Sequence, residues 1–339
     1  MSNQVKINLD SQMFDLATVI LKIQQGEFMS IAGDESLLAQ LPAGNWIGGT
    51  IPYFMDRDGG KVSREQLFVH TINGTQQHNP PRITVYDNNT IARIAQDAPP
   101  HGFTLLILPA ASQVHLNYAQ NAPEFANMFF TPIVGWISGF HLNDGSAAQV
   151  AFGPSGGVLI SQQAVAIHVP LPDSQSANVS IINLFEEGAG PVIEFPTTDF
   201  SVKDCLIDGV PSSLADYIAG QGLDTRLPLV ADYSGIKVNV SIQQIHANTG
   251  QVELYAPVFK GVSYRFATPV PDYVQAFDQA VKKNDTANIA FSCNCILNFL
   301  YSELEGKKTG HITGPITFGE IAYQLLNQTL VYMTLNDVR

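Results

Sequence analysis

GPITFGEIAYQLLNQT, residues 314–329, sets the terms on which the fold has to be read. The stretch is built from small and apolar residues, with Glu320 in its middle and Asn327 further on. As one unbroken strand it places Glu320 on the side of Ile316, Phe318 and Ala322, facing inward, because strand side chains alternate with a period of two. A bulge at Gly319 would turn the carboxylate to the other face. An inward glutamate is costly unless it is hydrogen-bonded or paired.

QTLVYMTL (328–335) reads as the strand that closes the chain. Upstream, ANIAFSC (287–293) is a strand that feeds a helix with Ile296, Leu297, Leu300 and Leu304 inward. PDYVQAFDQAVKKND (271–285) is a helix with proline at its start, where a missing N–H costs nothing. VSYRFATP (262–269) is a strand, and Ile236, Val238, Val240 and Ile242 alternate as a half-buried strand that Asn248-Thr249-Gly250 turns back into QVELYAPV (251–258). VIEFPTTDFSVKDCLIDGVPSSLADYIAG (192–220) gives two strands, an Asp208-Gly209 turn and a helix.

In the N-terminal part, Asp10 can cap a helix running to about Gln25. LPAGNWIGGTIPYF (41–54) leads into a glycine-rich strand, and DRDGG (56–60) is a hairpin turn. FTLLILPA (103–110) and a helix from Ser112 to Gln120 precede PIVGWISGF (132–140), which echoes NWIGGTIPYF. On that echo, 1–90 and 91–190 are candidate degenerate repeats. Antiparallel hairpins mixed with packing helices give an α+β class, with mixed, largely antiparallel sheets. The expected division is 1–190 and 191–339.

The charge balance narrows the partners. A net charge of −13 disfavours phosphate backbones, so no nucleic-acid partner is expected. No apolar run reaches the roughly 20 residues that cross a bilayer, and the longest candidate, Leu16–Ile23, is broken by Lys22. MSNQVKINLD lacks the pattern of a signal peptide, and the three cysteines, 205, 293 and 295, do not make a disulfide framework. These features point to a cytoplasmic protein without membrane insertion. No cofactor signature is present.

At FSCNC, GPITFGE and NQT the chain resembles the FIST family, the sensory domain of bacterial signal-transduction proteins. The matching elements are the helix at Asp272–Lys283, the strand end Phe291-Ser292-Cys293, the helix Ile296–Leu304, Gly314…Gly319-Glu320 and Asn327-Gln328-Thr329. WIGGT (46–50) and PIVGWISG (132–139) resemble that family's two small-residue strands in the N-terminal part. Two family features are missing: an arginine soon after the cysteine, where Asn294 to Asn298 stand, and a histidine before Asn-x-Thr, where Leu326 stands. The resemblance implies a small-ligand-binding sensory module, perceiving an amino acid or similar polar metabolite and signalling through a separate protein.

The candidate ligand-binding residues are Glu320 for an amine, Arg265 for a carboxylate through its bidentate fork, and Asn327, Thr329 and Cys293 nearby. Each has a plainer reading. Glu320 would satisfy backbone donors or pair with Arg265, Asn327 and Thr329 would tie a hairpin, and Arg265 would lie on Tyr264 at the surface. Cys293, at a strand end entering a helix, would be a thiol nucleophile with His311 or His141 as base, or an inert core residue. A thiol enzyme and a non-catalytic scaffold therefore stand as alternatives to the sensor.

Overall fold

The computed structural model describes residues 6–75, 79–233, 236–284, 286 and 288–338. Residues 1–5, and positions 285 and 287 at the ends of an expected helix and strand, lie outside the described residues, as does the side chain of Ile236.

The terminal stretch is not one strand. It breaks into Gly314–Thr317, Glu320–Ala322 and Gln324–Leu326, and the first piece belongs to a different sheet from the other two. That crossing is the organising feature of the molecule. One six-stranded sheet runs edge to edge through Asn8–Phe14, Leu67–Asn73, Phe28–Gly33, Trp46–Thr50, Val150–Phe152 and Leu159–Ile160. A second runs through Arg82–Tyr86, Ala164–Pro170, Gly102–Pro109, Ile133–Ser138, Glu320–Ala322 and Gln324–Leu326. A third runs through Gln175–Ile182, Leu330–Asp337, Ile289–Cys295, Gly314–Thr317, Tyr53–Asp56 and Gly59–Val62.

The strand order recurs. In each sheet the two central strands are parallel and the other neighbours antiparallel. The parallel pairs are joined by the helices Glu35–Leu38, Gln113–Asn121 and Ile296–Tyr301, since a parallel connection needs a crossover. The last two strands of each sheet are a hairpin supplied by another. Tyr53–Val62 follows the parallel pair of the first sheet in the chain but completes the third. Val150–Ile160 follows the parallel pair of the second and completes the first. Glu320–Leu326 follows the parallel pair of the third and completes the second. The exchange forms a closed ring, so no sheet is complete without the others.

A common core fills the space between the three sheets, with Ile47, Ile107, Val134, Trp136, Phe291 and Ile316 all fully or nearly fully buried. Helix Leu16–Gln24 covers the outer face of the first sheet, over Trp46, Met29 and Ile31. Its N-cap is Asp15, not Asp10, which lies in the edge strand Asn8–Phe14. The reason is pairing. Met13 and Phe14 stand opposite Phe68 and Leu67, and strand pairing takes residues that helical spacing had claimed. Trp46 and Trp136 are not equivalent. Trp46 lies in the outer core, Trp136 in the central one against the space left by Gly49. Leu300 does not point inward but is 40% exposed.

Residues 193–266 are inserted between strand Gln175–Ile182 and helix Tyr273–Lys283. They make a fourth six-stranded sheet and a three-stranded one around their own core, which includes Ile193, Leu214, Leu229 and Tyr264. The fold is thus more sheet-rich than the α+β expectation, at 43% strand and 17% helix. No duplication of 1–90 in 91–190 is shown; what recurs is a strand order, three times, and its third instance draws three of its strands from residues 289–337. Because those residues close sheets begun before residue 190, the sheets do not divide at 190/191.

Candidate functional site

Glu320 pairs with Trp136 at the first residue of its strand and is 0% exposed, facing inward. Its Oε2 accepts from the Thr329 backbone N–H at 3.2 Å and from the Thr329 hydroxyl at 2.8 Å. Oε1 has no partner among the described residues. Burial pushes the carboxyl up to about 8, against the opposing bonds from Thr329. At neutral pH the group is a neutral acid, because two bonds on one oxygen do not replace the water an ionised carboxylate loses.

Thr329 is fixed from the other side as well. Its carbonyl accepts from Cys295 N at 3.2 Å and from Asn298 Nδ2 at 3.3 Å. Asn327 Oδ1 accepts from Ser241 Oγ at 2.9 Å, and Asn239 Nδ2 donates to the Asn327 carbonyl at 3.2 Å. Asn239 also exchanges a reciprocal amide pair with Asn183, at 2.9 and 3.0 Å. These bonds tie the inserted unit to the loop that ends the terminal hairpin. The structure therefore brings Glu320, Thr329 and Asn327 together in a buried knot.

Cys293 lies beside this knot but not where the sequence placed it. The strand runs on to Cys295, which occupies the N-cap of helix Ile296–Tyr301. Cys293 Sγ donates to the Gly135 carbonyl at 3.3 Å and is 1% exposed. Burial, with the Glu320 carboxyl nearby, pushes both thiols well above the usual range. The cavity bordered by Cys293 and Asn294 measures about 10 Å³, no more than about one water can use. Neither expected base reaches it: His141 stacks on Tyr53, and His311 Nε2 meets the Thr286 carbonyl. Among the described residues, no group of three or more His, Cys, Asp or Glu side chains could hold a metal ion.

Arg265 is elsewhere. Its strand, Ser263–Phe266, pairs with Ile193–Glu194 and Leu229–Tyr233 in the inserted unit. The guanidinium donates to the Gly190 carbonyl and pairs with Glu187 at 3.5 Å, so it is neutralised locally. Glu320 and Arg265 do not converge on one ligand.

The terminal hairpin leads to a different place. Its tip is Tyr323, between Ala322 and Gln324, with φ at +65°, a conformation that bulky residues rarely adopt. The turn is held open by its surroundings: Tyr323 N donates to the Ile133 carbonyl at 2.9 Å, and the Tyr118 hydroxyl donates to the Tyr323 carbonyl. The Tyr323 ring lies 5.6 Å from that of Phe129. The two rings form one wall of a cleft of about 490 Å³. Val179 and Ile181, from strand Gln175–Ile182, form another wall, and Asn183 and Lys237 close the side that faces the inserted unit. The Asn183 amide is saturated, bonded to Asn239, the Lys237 carbonyl and Phe185 N. Lys237 Nζ pairs with Glu186, which is 65% exposed.

Sequence reasoning missed Phe129, Tyr323, Ile181 and Lys237. The adjacent Phe129-Phe130 was a signal, but no local pattern links positions 129, 181, 237 and 323. The model of a family of unknown function (DUF6976) matches residues 14–336 of the chain. No curated protein and no solved structure matches.

Proposed function

We propose that the chain, which belongs to the family of unknown function DUF6976, is a small-ligand-binding module and takes its ligand in the cleft between Phe129, Tyr323 and Ile181. The observation that supports this reading is the cleft itself. At about 490 Å³ it has the size of ligand pockets, it is lined mainly by aromatic and aliphatic side chains, and it lies where an inserted unit meets the body of the fold. The strained Tyr323 turn fits the same reading, since residues held in rare conformations cluster at functional sites. Glu320 then anchors the hairpin that presents Tyr323, instead of meeting the ligand.

The sensory role implied by the resemblance to FIST proteins is retained as part of this proposal. Phe130, beside the cleft and 84% exposed, supports a separate protein partner that reads the occupied state. An Ile181→Arg variant tests the assignment, because its side chain fills the cleft from a half-buried position. In a thermal-shift and ligand-observed NMR screen, compounds that bind the wild type should lose binding to this variant. Hits that bind both equally would place the site elsewhere.

A further inference from the structure

The ligand reading leaves its chemistry open, and the charges around the cleft narrow it. The protein carries 30 acidic against 17 basic residues, yet none of the described residues lining this cleft is a carboxylate. The charged side chain among its lining residues is Lys237. A lone ammonium at the edge of an apolar hollow, on a protein of net charge −13, is a local reversal of the overall field. Its present counter-ion is Glu186, a largely exposed side chain reaching in from solvent. Exposed pairs of this kind contribute little and are readily exchanged. A carboxylate delivered from inside the cleft would meet the same ammonium against an apolar wall, where the lower local dielectric strengthens the attraction.

Among the described lining residues no side chain carries a negative charge to match a cation; the groups facing it are the neutral Gln324 amide and the Phe129 and Tyr323 rings. The Asn183 oxygen, the nearest fixed acceptor on that side, already receives Phe185 N and Asn239 Nδ2 at 3.0 Å each. The Tyr323 hydroxyl is held further in its neutral form by burial. A zwitterionic amino acid would therefore find no charged lining group for its ammonium, while a simple acid needs none.

Resting on the ligand-binding reading above, we propose that the cleft takes a small amphipathic carboxylate: an aromatic or branched apolar body packed between Phe129, Tyr323, Val179 and Ile181, with its carboxylate on Lys237 Nζ in place of Glu186. Glu186 is then a built-in stand-in for the ligand's acid group, and binding exchanges one carboxylate for another.

The test uses the full chain and matched probes that share one body and differ in one group: 3-phenylpropionate, 3-phenylpropionamide and 3-phenylpropylamine, with an indolyl and a branched-alkyl set beside them. Dissociation constants are measured by ligand-observed NMR and calorimetry at low salt. The acids should bind at least tenfold more tightly than their amides and amines. Lys237→Met should bring each acid to the level of its amide. Glu186→Gln should tighten the acids several-fold and leave the amides unchanged. Both positions are at the surface, so these variants are expected to fold. Amides or amines that bind as tightly as the acids, with Ile181→Arg abolishing all of them, would overturn the carboxylate assignment and keep the cleft. Failure of every probe in every set would overturn both.

Discussion

Glu320 and Thr329 close the base of the terminal hairpin, one carboxyl oxygen accepting both the backbone N–H and the hydroxyl of Thr329. The pair joins the strand that completes the second sheet to the residue that enters the last strand of the third. Its strength should depend on pH in a defined direction. The folded-state pKa of Glu320, about 8, lies above its ordinary value of 4.5. Its contribution is therefore fully present below pH 4.5 and is lost as pH rises to 8, at about 1.4 kcal/mol per pH unit.

Three buried histidines oppose it on the acid side. Burial depresses His70 to about 3 and His115 and His168 to about 4, below the ordinary 6.5. Their contribution is present above pH 6.5 and is lost as pH falls toward 4. Below 6.5 three groups outweigh one, and above it Glu320 acts against the fold alone among these four. Urea midpoints measured from pH 5 to 8 should peak near 6.5. Glu320→Gln keeps an acceptor for Thr329 and cannot ionise, so its curve should stay level above 6.5 and lie above the wild type at pH 8. A variant that falls as steeply as the wild type would remove Glu320 as the cause.

Local signals were legible where the chemistry was local. Asp272 caps its helix by accepting from Gln275 N, and Asp208-Gly209 turns a hairpin at φ of +48° and +79°. Misreadings arose where pairing partners are distant. Asp10 had the look of a cap, but its strand is claimed by Thr71, sixty-one positions away. The inward direction of Glu320 could be read from alternation. That Thr317 ends one sheet's segment and Glu320 opens another's could not, because Glu320 finds its partner at Trp136. The cleft was illegible for the same reason: its walls come from segments joined only by the hairpin exchange and the insertion.

The thiols give a separate test of the enzyme alternative. Cys293 and Cys295 are each 1% exposed, and burial pushes both up; Cys205 is also buried, with its thiol raised to about 11. Thiolate, not thiol, reacts with alkylating agents. Iodoacetamide at pH 7 should leave all three unmodified in the native protein over an hour and label all three after denaturation, as read by intact mass. Rapid native labelling of Cys293 would restore the thiol enzyme as a reading.

Gly49 and Trp136 test the shared core. A Cβ at Gly49 would come within 2.6 Å of the Trp136 ring and 2.7 Å of Ile107, so two sheets meet through the missing side chain. Overpacking a filled core typically costs about 1–3 kcal/mol. Gly49→Ala should lose that much by urea denaturation. If the exchanged hairpins make the three sheets one cooperative unit, tryptophan fluorescence and far-UV circular dichroism should shift together. Transitions that separate would show that the first sheet melts alone.

Tyr323 carries the sharpest distinction between a structural tip and a functional one. At φ of +65° a tyrosine pays a conformational cost of about 1–3 kcal/mol, which asparagine, at ease in the left-handed region, largely avoids. Replacing it also removes a half-buried ring in contact with Phe129, which works the other way. The two effects oppose each other, so Tyr323→Asn should stay within about 1 kcal/mol of the wild type. Its backbone bonds to Ile133 and Tyr118 need no side chain and should survive. Ligand affinity has no such compensation, because the ring is one wall of the cleft. A tenfold or greater loss of binding at near-unchanged stability would mean that the strain is kept for the ligand. Equal binding with a clear loss of stability would make Tyr323 a packing residue and move the recognition to the Ile181 wall.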